Sequence, residues 1–303
     1  MNEYGQTRGM TRVPLVVVGG GAAGMMAAIA AAEAGTEVIL LERGPRCGRK
    51  LLITGGSRCN LTHDGPAAMV LKSMGPTPRF LRHAVHSFPP RSTIDFFEAL
   101  GVRTTVAPDG CVFPESNRAE DVLQALEQRM TDLGVSPQTG RRVVSVGHLQ
   151  EGFRVGTSES ALVARRLVIA TGGVSYPTTG STGDGYDMAR ALGHTVRPVY
   201  PALSALETVE TWPGELAGVS LDDVVLKAKT STGKKATGRG DMLFAGWGIS
   251  GPASLRLCWQ LADTFGPLSS PVEVTLDLCP DLQSDDLLAQ LNRLLQEQPR
   301  RQL

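Results

Sequence analysis

The residues with the most chemical reach lie in two short blocks near the N-terminus. The first is Gly19-Gly20-Gly21-Ala22-Ala23-Gly24, directly after the apolar run Leu15-Val16-Val17-Val18. Gly19, Gly21 and Gly24 fit GxGxxG, a spacing that brings bare N–H groups and a helix N-terminus against a pyrophosphate. Gly19 permits the tight turn, Gly21 lets the backbone approach a phosphate, and Gly24 lets helix and strand pack closely. Gly20, Ala22 and Ala23 are small, as a crowded phosphate turn requires. The second block, LITGGSRCN, sets Gly55 and Gly56 beside Arg58, Cys59 and Asn60. It suits a metal or thiol site, a phosphate loop, or a plain turn. Cys59 has no partner at ligand spacing, which argues against a metal. Arg58 favours a thiolate at Cys59, but no positioned base accompanies it. The phosphate role is already taken by 19–24. A close-packed glycine turn remains, carrying Arg58 and Asn60 towards a ligand, with Cys59 packed rather than reactive.

Three elements must hold the first block. Residues 15–18 read as a buried parallel strand. A helix runs over 22–34 and stops at Gly35. The second apolar strand, VILLE, ends on Glu42, which can accept hydrogen bonds from ribose hydroxyls and disfavours NADP at this site. GxGxxG alone is a weak signal. With strand, helix, second strand and terminal acid in place it specifies an adenine dinucleotide. A second match, Gly246, Gly248 and Gly251 in GWGISG, carries the bulky Trp247 and Ile249 where a pyrophosphate would press. It reads as a helix start, with Pro252 near the first helical position.

The bulk numbers narrow the class. The chain has 303 residues, enough for one large domain or two ordinary ones, with 42% hydrophobic residues. Its 30 basic and 30 acidic residues balance, which argues against a polyanion-binding protein. The five cysteines form no CxxC or CxxxxC pair, so a reducing compartment is expected and a redox-active disulfide is not. The polar start MNEYGQTRGMTR lacks a signal-peptide pattern, and the glycines interrupt the apolar run that follows it. These features predict a cytoplasmic protein that does not span a membrane.

Further on, RRVVSV, GFRVGT and RRLVIATGG read as three successive strands. A β-meander that ends in Ala170-Thr171-Gly172-Gly173 favours FAD over NAD. A simple NAD dehydrogenase would keep alternating strand and helix. The first meander strand, near Val143, then lies beside the adenine. The loop after it leads to a helix beginning near Asp184 or Gly185, with Asp184 a cap or a ligand.

These blocks together resemble the BaiN-like and aminoacetone-oxidase-like NAD(P)/FAD-dependent oxidoreductases. The resemblance rests on VVVGGGAAGMMAAIAAAEAG, GRKLLITGGSRCNLT, CVFPESNRAEDVLQAL, LVIATGGVSYPTTGSTGDGYDMARALGH and LFAGWGISGPA. GRKLLITGGSRCN is the specific block. The resemblance implies an α/β fold: a Rossmann-like FAD-binding domain with a central parallel sheet and β-meander, and an inserted, mainly β second domain. It assigns Gly19, Gly21, Ala22, Ala23, Gly24, Glu42 and Arg43 to the adenosine and pyrophosphate. It runs Arg49, Lys50, Gly55, Gly56, Arg58, Cys59 and Asn60 towards the flavin, with Ala170, Thr171, Gly172 and Gly173 beside it. Cys111 stands where an arginine is usual before VFP, and Ser57 replaces a usual glycine. Members of the family continue past the final QPRRQL, so the resemblance implies a missing closing part to the FAD domain and an incomplete inserted domain.

The expected division is an FAD domain over 1–200 and a substrate domain over 201–303. A helical excursion is predicted over 76–134, antiparallel strands after 201, and helices over 252–264 and 284–296. No metal-ligand spacing stands out. His63 reads as a surface-loop residue or one approaching the flavin. Arg79, Arg82 and Arg91 with His83 and His86 read as a solvated basic face. The expected activity is hydride transfer between NAD(P)H and a small organic substrate through FAD, with Lys50, Arg58 and Cys59 as catalytic candidates. Lys50 and Arg58 would favour reduced anionic flavin. An enone substrate follows by family analogy. Nucleic acid is not an expected partner. The competing readings are an NAD(P)-binding dehydrogenase, an FAD-binding RNA-modification-type protein and a non-catalytic dinucleotide-binding module.

Overall fold

The computed structural model describes residues 10–74, 78–230, 233–261 and 271–297. Two compact units divide the chain, Met1–Arg197 and Pro198–Leu303.

The first unit is built on a five-stranded sheet. Strands β1 (Thr11–Val18) and β2 (Val38–Leu41) flank helix α1 (Ala22–Glu33). Helix α2 (Ala67–Ser73), helix α3 (Pro78–Ser87) and helix α4 (Pro90–Ala99) follow the short strand β3 (Thr62–His63). Strands β4 (Thr104–Val106) and β5 (Cys111–Pro114) form a hairpin, which β3 joins in the order β3-β5-β4. The excursion over 76–134 is therefore not purely helical. Pro108, Asp109 and Gly110 turn the chain there, with Gly110 at φ 84°. Residues 75–77 of that stretch lie outside the described residues. Helix α5 (Ala119–Asp132) closes the excursion.

The meander follows as β6 (Val143–Leu149), β7 (Gly152–Thr157) and β8 (Ala161–Ile169), then helix α6 (Asp184–Ala191). Sheet order is β2-β1-β8-β7-β6. Here β1 lies parallel to both β2 and β8, while β8, β7 and β6 are antiparallel to one another. The outer edge of β2 is covered by the chain near Gln138, through Gln138 N–H to Leu40 O (2.8 Å) and Glu42 N–H to Gln138 O (2.9 Å).

Strand β1 is buried on both faces, which explains its β-branched run. Leu15 and Val17 pack with Met25 and Ile29 of α1 and Leu123, Leu126 and Met130 of α5. Val16 and Val18 face Val143, Val155 and Met188. Strand β1 starts earlier than the predicted Leu15, because Thr11, Arg12 and Val13 pair with Leu162, Val163 and Ala164 of β8.

The second unit is an antiparallel sheet of order β13-β10-β11-β12-β9. Its strands are β9 (Leu206–Glu207), β10 (Ser220–Lys229), β11 (Lys235–Ala245), β12 (Gly248–Ser250) and β13 (Val274–Asp277). A one-turn helix α7 (Trp212–Glu215), helix α8 (Pro252–Leu261) and helix α9 (Ser284–Glu297) complete it. The last predicted residues of the 252–264 helix, 262–264, lie outside the described residues. Ala253, Leu257 and Leu261 of α8 pack on Leu226, Ala236 and Met242. The second glycine block serves this sheet: a Cβ on Gly248 would overlap the Leu206 carbonyl oxygen, and one on Gly251 would lie 2.7 Å from that of Asp241.

Candidate functional site

A cavity of about 560 Å³ opens in the first unit, at the C-terminal ends of β1, β2 and β8. That is where an open α/β sheet places its ligands. Gly19, Gly21, Ala22 and Ala23 line it. Gly19 takes φ 104°, and a Cβ there would lie 2.5 Å from the Ala170 carbonyl oxygen. A Cβ on Gly21 would meet nothing within 4 Å, so this backbone faces open space. Gly24 does not line the cavity. It faces the opposite way, where a Cβ would overlap the Gly19 carbonyl oxygen.

Cations gather along one wall. Arg43, Arg49 and Lys50 all line the cavity and all reach the segment before α6. Arg43 donates to Thr182 Oγ1 (2.7 Å) and pairs with Asp184 (3.2 Å). Arg49 donates to Thr178 O (2.6 Å), and Lys50 to Ser175 O (2.7 Å). Among the described residues, Arg49 and Lys50 are thus held by carbonyl oxygens and form no ion pair. Asp184 sits at the first position of α6, directly after the N-cap residue Gly183. Its carboxylate accepts from Thr182 Oγ1 (2.5 Å) and pairs also with Arg142 (3.1 Å). The Thr182 hydrogen bond, then Arg142 and Arg43, hold its pKa below the usual carboxylate value.

The LITGGSRCN turn splits into two sides. Thr54, Cys59 and Asn60 line the cavity; Gly55, Gly56 and Arg58 do not. Gly55, Gly56, Ser57 and Cys59 all have positive φ, and Cys59 N–H closes the turn on Thr54 O (3.0 Å). This left-handed path swings Arg58 outward. Its guanidinium stacks 4.1 Å from the Phe113 ring centroid and its Nε donates to Gly55 O (3.0 Å). The Arg58 side chain is thus engaged on the turn and its neighbour. Burial pushes the Cys59 thiol pKa up, against a bond to Thr54 that lowers it, so the thiolate needed for nucleophilic work is disfavoured.

Val143, Ala170, Thr171 and Gly172 line the cavity, while Gly173 does not. A Cβ on Gly173 would instead lie 3.2 Å from the Tyr186 hydroxyl. His63 is also away from the cavity, with its two ring nitrogens 3.0 Å from Asp64 O and 2.9 Å from Asp109 O. No metal-binding group of His, Cys, Asp or Glu occurs among the described residues, and none of the described helices is long and apolar enough to cross a membrane.

The sequence reading missed an apolar wall made by Leu61, Phe88, Phe97, Val122 and Leu126. Helical spacing marks Phe97, Val122 and Leu126 as inward-facing, but only the tertiary fold brings α4 and α5 onto the dinucleotide turn.

The family model described as the HI0933-like protein Rossmann domain matches residues 13–253. A 3-dehydro-bile acid delta(4,6)-reductase of Clostridium scindens is 32% identical over 93% of this chain and 68% of its own length. A ribosomal RNA dihydrouridine synthase of Escherichia coli is 30% identical over 92% of this chain and 67% of its own. Among solved structures, a flavocytochrome c3 fumarate reductase superposes with a TM-score of 0.47 at 19% identity, over 73% of this chain and 49% of that one.

Proposed function

The chain belongs to the HI0933-like family of Rossmann-domain flavoprotein oxidoreductases, and on that premise we propose that its first unit binds FAD and that it transfers a hydride between NAD(P)H and a small organic substrate. The observation that carries this reading is the pairing of an open Gly21 backbone with two cations, Arg49 and Lys50, on one cavity. Bare N–H groups at a helix N-terminus with unneutralised cations nearby are what a pyrophosphate requires. The donor set fits the dinucleotide.

Each lining residue then has a task. Gly19, Gly21, Ala22 and Ala23 cradle the pyrophosphate, and Arg49 and Lys50 neutralise it. Glu42, Arg43 and Val143 form the adenosine end. Ala170, Thr171 and Gly172 run along the cofactor. Cys59 and Asn60, with the apolar wall of Leu61, Phe88 and Phe97, enclose its ring system and exclude water. Gly24, Gly55, Gly56, Arg58 and Gly173 act one step back, by shaping the backbone on which those residues sit. FAD, when bound, supplies the position that accepts and releases the hydride. The second unit is the substrate domain, and the setting is the cytoplasm.

A conjugated carbonyl compound is the substrate class to test first, in line with the name of the Clostridium relative. Anaerobic mixing of the FAD-loaded protein with NADH or NADPH tests the donor: the flavin colour should bleach and return on adding an enone. Flavin that stays oxidised under both nucleotides sinks the NAD(P)H reading.

A second reading has its own observation. Helix α3 presents Arg79, Arg82, His83 and His86 around a Phe80 that is 87% exposed. Cations interleaved with an exposed aromatic suit a nucleic-acid strand, and the Escherichia coli relative is named for an RNA base reaction. The balanced net charge favours the small-molecule reading. Retention of RNA at low salt, lost steeply as salt rises, would reverse that preference.

A further inference from the structure

Helix α3 carries Arg79, Arg82, His83 and His86 at the spacing i, i+3, i+4 and i+7, which puts all four on one face. All four are exposed, while Leu81 and Val85 on the other side of the helix are half-buried. Among the described residues, none of the four pairs with an acid. Arg91 on the next helix, by contrast, holds Asp95 (2.7 Å).

The row leads to the mouth of the cavity. Phe88 N–H donates to Ala84 O (2.9 Å), so the last helical turn runs on to Phe88, which is 45% exposed and lines the cavity. Phe88 is held edge-on against Phe96 (centroids 6.4 Å apart), and Phe96 against Phe97 (5.2 Å), a second cavity residue. At about 1.5 Å per residue the basic row spans roughly 10 Å, and His86 lies about 3 Å along the axis from Phe88. The row itself does not line the cavity. A single phosphate or carboxylate would engage one turn of it, whereas an elongated, multiply charged anion would engage its length. Arg79 and Arg82 present planar forks that match phosphate oxygens. Phe80, between them in sequence and 87% exposed, offers a flat face on which a base stacks.

We propose that this face of α3 docks the phosphates and adenine of the nicotinamide dinucleotide that reduces the flavin, with the nicotinamide end entering the cavity past Phe88. The inference rests on the FAD and NAD(P)H reading and adds the place where the nucleotide binds, apart from the glycine turn. The same row underlies the nucleic-acid reading, but two guanidinium groups supply few of the roughly 6–10 phosphate contacts from which nucleic-acid binders draw their affinity.

The test uses FAD-loaded wild type, Arg79→Ala/Arg82→Ala and, as a control outside the row, Arg91→Ala. Flavin bleaching is followed anaerobically against the concentration of NADH and of NADPH. Calorimetric titration with NAD⁺ and NADP⁺ measures binding without reaction. In the double variant the half-saturating concentration of the reducing nucleotide should rise about tenfold or more, with the limiting bleaching rate within about twofold of wild type. The calorimetric Kd should rise by the same factor, while FAD affinity, and every property of Arg91→Ala, stays within about twofold. A larger loss for NADP⁺ would put its 2′-phosphate on the row, and an equal loss the shared pyrophosphate; either supports the proposal. Nucleotide affinities within about twofold of wild type in the double variant overturn it. So does wild type that binds neither oxidised nucleotide, or a variant that loses only the retention of a short single-stranded RNA at low salt. If the variant weakens NAD⁺ or NADP⁺ but neither reduced form bleaches wild-type flavin, the hydride reading fails and the docking face stands. If the chain retains no FAD, the FAD reading fails and calorimetry on the same chain decides by the same criterion. Should the double variant not fold, Arg79→Gln/Arg82→Gln goes through the same comparison.

Discussion

Gly24 packs so closely on Gly19 that a Cβ at position 24 would overlap the Gly19 carbonyl oxygen. Gly21, three residues earlier, has open space where a Cβ would project and an extended backbone that alanine adopts freely (φ −76°). Gly24→Ala should therefore cost about 2 kcal/mol or more of stability, by forcing α1 away from β1. Urea unfolding monitored by circular dichroism measures it. A loss below about 0.5 kcal/mol would contradict the contact.

Gly21→Ala should do the reverse. Its new methyl group projects into the cavity, so stability should stay within about 0.5 kcal/mol of wild type. FAD affinity should fall about tenfold or more, because the backbone can no longer approach the pyrophosphate. The same urea curve and a flavin titration separate the two effects.

Arg58→Ala should leave FAD affinity within about twofold and cost about 0.5–1 kcal/mol of stability, the worth of an exposed cation–π contact. Lys50→Ala, in contrast, should weaken FAD binding clearly, since it removes a cavity cation. Equal loss of affinity in the two variants would place Arg58 back at the ligand.

How much of this was legible in the sequence depends on how local each signal is. The strand, turn, helix and acid from Leu15 to Glu42 are contiguous, and periodicity with glycine spacing located them. The stacking of Arg58 on Phe113 was not legible, because the path of the turn is set by positive φ at Ser57 and Cys59, which residue type does not announce. Gly20 was read as small for a phosphate, whereas its space is taken by Cys47 from a later loop. The Phe88 and Phe97 wall and the attachment of Arg49 to Thr178 are long-range contacts that no window contains. The β4–β5 hairpin was hidden by its helical flanks.

The cysteines give a chemical check. With burial and the Glu42 charge holding the Cys47 thiol pKa at about 12, Cys47 should resist iodoacetamide at pH 8 in the folded protein and react only on unfolding. Burial raises Cys59 as well, so Cys59→Ala should lower turnover by no more than about threefold. Mass spectrometry of the alkylated peptides, with the turnover of the variant, decides. Rapid native labelling of Cys59 would restore its candidacy as a nucleophile.

Asp184 gives a pH dependence. Its folded pKa is depressed by the Thr182 bond and by Arg142 and Arg43. A depressed carboxylate contributes stability above its unfolded pKa, about 4, and loses it as pH falls through the lower folded value. Asp184→Asn should therefore be about 1 kcal/mol less stable than wild type at pH 7. That gap should shrink below about pH 4. A gap independent of pH would mean that the ion pairs with Arg43 and Arg142 contribute nothing.

The central claim is that the glycine turn and the cations around it hold FAD. Titrating cofactor-free protein with FAD, by flavin fluorescence and by the visible spectrum after gel filtration, tests it most directly. The expected result is saturable uptake of one FAD per chain, with the flavin band retained through the column and ADP competing for the site. A protein that stays colourless and leaves free FAD fluorescence unchanged, while its circular dichroism shows it folded, would contradict it.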